Sequence, residues 1–289
     1  MHLTTRSERF YLGLNYIALT LISLAFVLPL LFVISASFVS EAEIVRRGSF
    51  VLIPDSPDFG AYSLIFRGRT IFSAYSNSLF RVTVGVMLNL FFTSTFAYAL
   101  SKRDLPGRTA LTLLVFIPLI FSGGIIPTFI LIQAVGLRDS IWSMIIPSLI
   151  NPFWLLIMRN FFMQIPVEFE EAAIIDGASP PQILWNIMLP LSMPIFATIG
   201  MFYAVWHWNA WFDASIYIDQ INKLPIQVIL RNLLIGTALM DPTTVTEAPP
   251  PLESLKAALT VVTVLPILVV YPFIQKHFIK GALIGGIKG

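Results

Sequence analysis

The chain has 289 residues, of which 56% are hydrophobic and 12% charged, with a net charge of +2 and a mean hydropathy of +0.81. Soluble domains carry about 25% charged residues, so a soluble core of this length could not hide so much apolar surface, and the near-neutral charge offers no footing for nucleic acid. Cysteine is absent, which excludes disulfides and thiolate metal sites.

Crossing about 30 Å of hydrocarbon takes about 20 helical residues. Windows that meet this demand run 12–38, 79–100, 110–133, 141–158, 188–211 and 257–275. An all-α, polytopic membrane protein with six transmembrane helices is therefore expected, as a single transmembrane domain over 1–289 with both termini on one side. The first window is far longer than the roughly 7–15 residues of a signal-peptide core and reads as a retained helix. External loops are expected over 39–76 and 212–256, the second stiffened by Pro249-Pro250-Pro251. The basic residues divide evenly, nine to each side, but the loops on one side are longer. Basic density, with the Lys102-Arg103 pair in a short loop, thus favours cytoplasmic termini.

In the third window Gly123-Gly124, with Pro118 and Pro127, predicts a break or kink; packing through small residues is the simpler alternative. Between the fourth and fifth windows lies an acidic island, 159–189. Pro166 suits a first helical position, Glu168, Glu170 and Glu171 suit a helix N-terminal half, and Gly177 suits its end. Ser179 then caps a second helix that starts with Pro180-Pro181 and runs to a break at Leu189-Pro190, with Ile183, Ile187 and Leu191 on one face. Ala172 and Ala173 leave a shallow place for close approach. No Lys or Arg occurs between Arg159 and Lys223, so these carboxylates have no basic partner nearby in sequence. Surface helices that rest on lipid are normally basic; an acidic one favours docking of a soluble protein over an amphipathic hairpin on the membrane.

The fifth window ends in Phe202-Tyr203-Ala204-Val205-Trp206-His207-Trp208-Asn209-Ala210-Trp211-Phe212. Tyr203, Trp206, Trp208 and Trp211 offer ring faces to a solute, and His207 and Asn209 offer polar atoms. The same run also makes an interfacial aromatic belt, and His207 alone also reads as a satisfied packing histidine; both readings stand. Arg81 is placed at the start of the second window, which leaves His207 as the titratable group within a span. Ion-coupled carriers usually bury ionisable groups near the midplane, and membrane enzymes need a convergent acid–base cluster. An ion-coupled secondary transporter and a membrane-embedded polysaccharide or lipid enzyme are therefore the weaker readings. The C-terminal Gly281–Gly289 segment fails the phosphate-loop pattern, since Ile287 stands at the lysine position, and reads as a flexible or docked tail.

The pattern Glu171-Ala172-Ala173, three residues, Gly177, nine residues, Ile187, one residue, Leu189-Pro190 resembles the signature loop of binding-protein-dependent ABC importer permeases. Asn77-Ser78-Leu79, Ala97–Lys102, Pro106-Gly107-Arg108, Trp208-Asn209 and the Lys280-Gly281 to Lys288-Gly289 tail are similar to the carbohydrate-uptake branch. Phe121–Thr128 is similar to permeases of polysaccharides and large oligosaccharides, such as the second alginate permease. The resemblance implies a type I importer fold without a catalytic site, cofactor or metal of its own. It implies a second permease, two cytoplasmic ATPase subunits holding ATP and Mg, an extracytoplasmic sugar-binding protein, and an oligo- or polysaccharide, acidic on the alginate analogy. It places the chain in the bacterial inner membrane. Glu170, Glu171, Ala172, Ala173, Asp176, Gly177, Ile187, Leu189 and Pro190 would couple it to the ATPase, and Tyr203, Trp206, His207, Trp208, Asn209 and Trp211 would line the pathway.

Overall fold

A computed structural model describes residues 6–48, 50–235 and 252–286, with side chains over 10–48, 50–235 and 252–272. All regular structure among the described residues is helical. The chain divides into two compact units, one of residues 1–69 and 232–265 and the other of 70–231 and 266–289.

In the first unit α1 (Arg6–Ala36) is a long apolar helix whose side chains are largely exposed, as expected of a span without its lipid. The expected loop after it is folded. Ser40 caps α2 (Glu41–Arg47), and α3 (Gly60–Arg67) follows. Glu43, buried, accepts from Arg47 at 2.7 Å and from the Asp55 backbone N–H at 3.0 Å, which pins the segment between the two helices. Ser254 Oγ donates to the Val39 carbonyl at 2.6 Å, tying the start of α14 (Leu252–Gly286) to this unit.

The second unit is organised around α4 (Arg69–Ser101), which starts ten residues before the hydropathy window. The extra turns carry polar side chains that are satisfied within the protein. Asn77 Nδ2 donates to the carbonyls of Asn222 and Leu224, and the Ile226 N–H donates to Ser78 Oγ at 2.9 Å. Hydropathy counts these residues as polar, whereas the folded chain has already met their demands.

Among the described residues, α1, α4 and the first part of α14 are long and apolar enough to span alone, and each remaining window is a bent pair. The third splits at residues 121–124 into α5 (Arg108–Ile120) and α6 (Ile125–Ala134), 118° apart. Gly124 at φ 84° makes that corner, so the glycines break the span rather than merely pack it. The fourth consists of 3₁₀ turns over Ile141–Ser148, then α7 (Pro152–Phe162) at 47°. Pro147 and Pro152 deny the ladder two donors, and Asn151 Oδ1 caps α7 by accepting from Phe153 and Trp154. At the other end, α14 continues helical to Gly286, where a tail was expected; Pro249–Pro251 and Ile287–Gly289 lie outside the described residues.

Candidate functional site: an acidic loop and an aromatic cavity joined by one helix

The acidic island forms α8 (Glu168–Ile175), a turn at Gly177, and α9 (Pro180–Ile183). Gly177 has φ 80°, and a Cβ there would meet nothing within 4 Å, so glycine is required by the backbone and not by crowding inside this chain. Ser179 and Gln182 form a reciprocal capping box at α9. Pro166 falls just ahead of α8, whose N-cap is Val167.

The helix expected to break at Pro190 does not break there. A π turn over Leu184–Met188 leads into α10 (Leu189–Leu191), and the 88° bend follows at Ser192, before α11 (Met193–Asn209). Proline lacks an N–H and clashes with the carbonyl four residues back in a regular helix; here the Leu189 N–H bonds the Leu184 carbonyl five residues back, and the wider turn carries the chain through Pro190. The turn also shifts the buried face. Ile183, Leu184, Met188 and Leu189 are buried, whereas Ile187 is half-buried and Leu191 and Pro190 are exposed.

Those four residues and Ala173 join a core with Ala97, Tyr98 and Leu100 of α4, Leu155, Met158 and Phe162 of α7, and Ile199 and Tyr203 of α11. Ala173 is thus spent inside the chain, and only Ala172 of the alanine pair is exposed. Glu171, Ala172 and Asp176 lie on the outer face beside Phe169, Ile174 and Ile175, the last 85% exposed. Glu170 turns inward. Its Oε1 pairs with Lys102 Nζ and accepts from Tyr98 Oη at 3.0 Å. The basic partner that is missing nearby in sequence is supplied from 68 residues upstream.

The aromatic run lies beside a cavity of about 1220 Å³ in the same unit. Trp206, Trp208, Asn209 and Trp211 line it, with Phe202, Phe212 and Asp213. Two expected members do not. Tyr203 is buried, its hydroxyl 2.8 Å from Thr93 Oγ1 and accepting from the Asn151 N–H at 3.0 Å. His207 is buried within a polar relay: Arg81 Nε donates to Nδ1 at 3.3 Å, so Nε2 carries the proton and donates to Asn89 Oδ1 at 2.7 Å. Asn89 Nδ2 in turn donates to the carbonyls of Ser148 and Leu149. His207 packs rather than lines. Helical phase explains both misplacements: residues 203 and 207, one turn apart, face α4, while 202, 206 and 209 face the cavity.

Arg81 is the ionisable group that span-by-span reading misplaced. It stands well inside α4, is fully buried, and forms a two-pronged pair with Asp213 of α12 (Phe212–Tyr217). Its Nη1 also reaches the Ala210 carbonyl at 3.2 Å. Arg81 sits behind the cavity wall, and Asp213 is the member of the pair that lines it. Sequence did hold a signal for this: Ser78, Arg81, Gly85, Asn89 and Thr93 recur every three or four residues along one apolar helix. On the far side of α12, Asp139 gathers the segment before α13 (Ile226–Leu234), accepting from the Asp219 and Gln220 N–H groups and from Lys223 Nζ at 3.0 Å. These donors, the Gln220 N–H first, hold the Asp139 carboxyl below the ordinary carboxylate range.

The chain as a whole is similar to known proteins. The chain is 43% identical over 291 residues to LplC of Bacillus subtilis, covering all of this chain and 98% of that protein. It is 44% identical to the polygalacturonan/rhamnogalacturonan transport system permease YtcP of the same organism, covering 98% and 99%. In three dimensions it matches a chain of the crystal structure of a bacterial ABC transporter that imports the acidic polysaccharide alginate. That match has a TM-score of 0.89 and 31% identity, and covers 96% of this chain and all of the other. The chain belongs to the permease family of sugar ABC transporters. No family model matches it. As a sugar ABC permease it is a multi-pass membrane protein, and YtcP and the alginate transporter are named for transport rather than for a reaction.

Proposed function

We propose that this chain is one of two permeases in an ATP-driven, binding-protein-dependent importer of acidic oligosaccharides, with six spans once each bent pair counts as one. The observation that carries the reading is the geometry of the acidic loop: Glu171, Ala172 and Asp176 beside exposed Phe169 and Ile175, on a helix whose opposite side is built into the permease core. An exposed face that is apolar with an acidic rim suits the surface of a soluble protein. ATP and Mg belong to the two ATPase subunits that this face would engage on the cytoplasmic side, with the termini on the same side in the inner membrane.

The cavity suits sugar. Trp206 and Trp211 offer ring faces for pyranose rings, and Asn209 and Asp213 offer polar atoms for hydroxyls. Polygalacturonan, rhamnogalacturonan and alginate, named for two of the similar proteins, are uronate-bearing chains. That shared chemistry supports an acidic saccharide here, delivered by an extracytoplasmic binding protein onto the 39–76 and 212–256 side. Arg81 neutralises Asp213, so the wall presents acceptor oxygens without a net negative charge to repel a uronate.

The test is reconstitution with the partner permease, ATPase and binding protein in liposomes. Uptake of galacturonate oligomers that depends on ATP and binding protein is expected. Glu171→Lys should release the ATPase while the permease pair stays inserted; full uptake by that variant would refute the docking role.

A further inference from the structure

The end of α4 is gripped from several directions. Arg108 and Arg159, from α5 and α7, both donate to the Leu100 carbonyl, at 3.1 and 3.0 Å. Beyond it, Lys102 Nζ pairs with Glu170 of α8 and lies 3.9 Å from the centre of the Tyr98 ring, while Tyr98 Oη donates to the same carboxylate oxygen. The side chains of Lys102 and Glu170 are 24% and 20% exposed, which makes this a largely desolvated contact and not a loose surface pair. At its middle the same helix holds the cavity wall, through Arg81 to Asp213, Gly85 against His207, and Asn89 to the 148–149 carbonyls.

We infer that Glu170 is a positioning residue: together with Lys102 and Tyr98 it locks α8 to the end of α4, so that movement of α8 is delivered along α4 to the cavity wall. Glu170 therefore does not face the ATPase. The docking surface is left to Glu171, Ala172, Asp176 and the apolar residues beside them. The route through α9 and the π turn reaches α11; the lock adds a second, parallel route into a rigid 33-residue helix. Two routes that both end at the Arg81–His207–Asn89 relay make α8 and the wall move as one body. The inference rests on the proposed docking of an ATPase for its consequence, but the lock itself is a property of this chain.

The experiment uses the full reconstituted transporter with Glu170→Gln, Lys102→Met and the exchanged pair K102E/E170K. Two quantities are read: galacturonate oligomer taken up per ATP hydrolysed, and hydrogen exchange of the 168–175 amides in the permease. Each single variant should retain the ATPase, lower the uptake-to-hydrolysis ratio at least about fivefold, and speed exchange in α8 about tenfold, the loss of one charge-assisted contact. The exchanged pair should restore both, because the lock needs opposite charges and not a particular order. Unchanged ratio and exchange in the single variants would overturn the lock. So would detachment of the ATPase in Glu170→Gln without rescue by the exchanged pair, which would place Glu170 on the partner. If the unaltered transporter holds no ATPase, the functional reading falls, and the exchange measurement alone decides the lock.

Discussion

Gly85 is the tightest point in the cavity-wall relay, and replacing it with alanine makes a sharp demand. The added Cβ would lie 2.5, 2.8 and 2.9 Å from Nε2, Cε1 and Cδ2 of the His207 ring. Real Cβ atoms do not approach that closely, so the ring must move. It is held at one edge by Arg81 and at the other by Asn89, so it cannot turn without giving up at least one hydrogen bond. Overpacking of this kind costs about 1–3 kcal/mol, and each lost hydrogen bond about 0.5–1.5 kcal/mol. Together these predict a loss of about 2–4 kcal/mol, or roughly 5–10 °C in the unfolding midpoint of the purified permease. The control is the same change beside His207→Ala, where the clash is gone and Gly85→Ala should cost almost nothing; the two changes share one contact and cannot add. A wild-type midpoint for Gly85→Ala, or an equal drop in both backgrounds, would refute the relay as the reason for glycine at this position.

Asp213→Ala leaves the Arg81 guanidinium buried without its counter-charge and should cost about 3–5 kcal/mol, read as lost yield of folded permease, whereas Asp213→Asn keeps one acceptor oxygen for the guanidinium and should be milder. Gly177→Ala meets no steric obstacle, so its effect should be limited to about 1 kcal/mol of backbone strain, and Gly177→Asn should be gentler still; a larger loss in the isolated permease would mean that the turn is crowded. Trp206→Ala should slow uptake with the complex intact, while Tyr203→Phe should act on stability through its lost bonds to Thr93 and Asn151. The depressed Asp139 carboxyl contributes stability that is complete above the ordinary carboxylate pKa and is lost as pH falls through its own lower value. Exchange of the Asp219 and Gln220 amides should therefore accelerate on acidification below about pH 4, and Asp139→Asn should flatten that response.

Regular features were legible in the sequence because their causes are local. The N-cap at Ser179, the turn at Gly177 and the corner at Gly123-Gly124 each depend on a few neighbouring residues, and each stands where its chemistry demands. Features that depend on contacts far along the chain were not legible. The pairings of Glu170 with Lys102 and of Arg81 with Asp213 span 68 and 132 residues. Without them Glu170 looked outward and Arg81 looked like a residue at the edge of a span. Tyr203 and His207 were misplaced for a different reason: composition marks an aromatic run, but the side of the helix that faces the cavity is set by packing against α4. Pro190 was read as a break because proline ends ordinary helices, and the π turn that absorbs it leaves no sequence signal of its own.

The most direct measurement is gentle affinity purification of this chain from its native membranes, with the partners identified and ATP hydrolysis assayed. Recovery of a second permease and an ATPase, with hydrolysis stimulated by a binding protein loaded with an acidic oligosaccharide, is the predicted result. Recovery of this chain alone, without hydrolysis even after mild crosslinking, would contradict it.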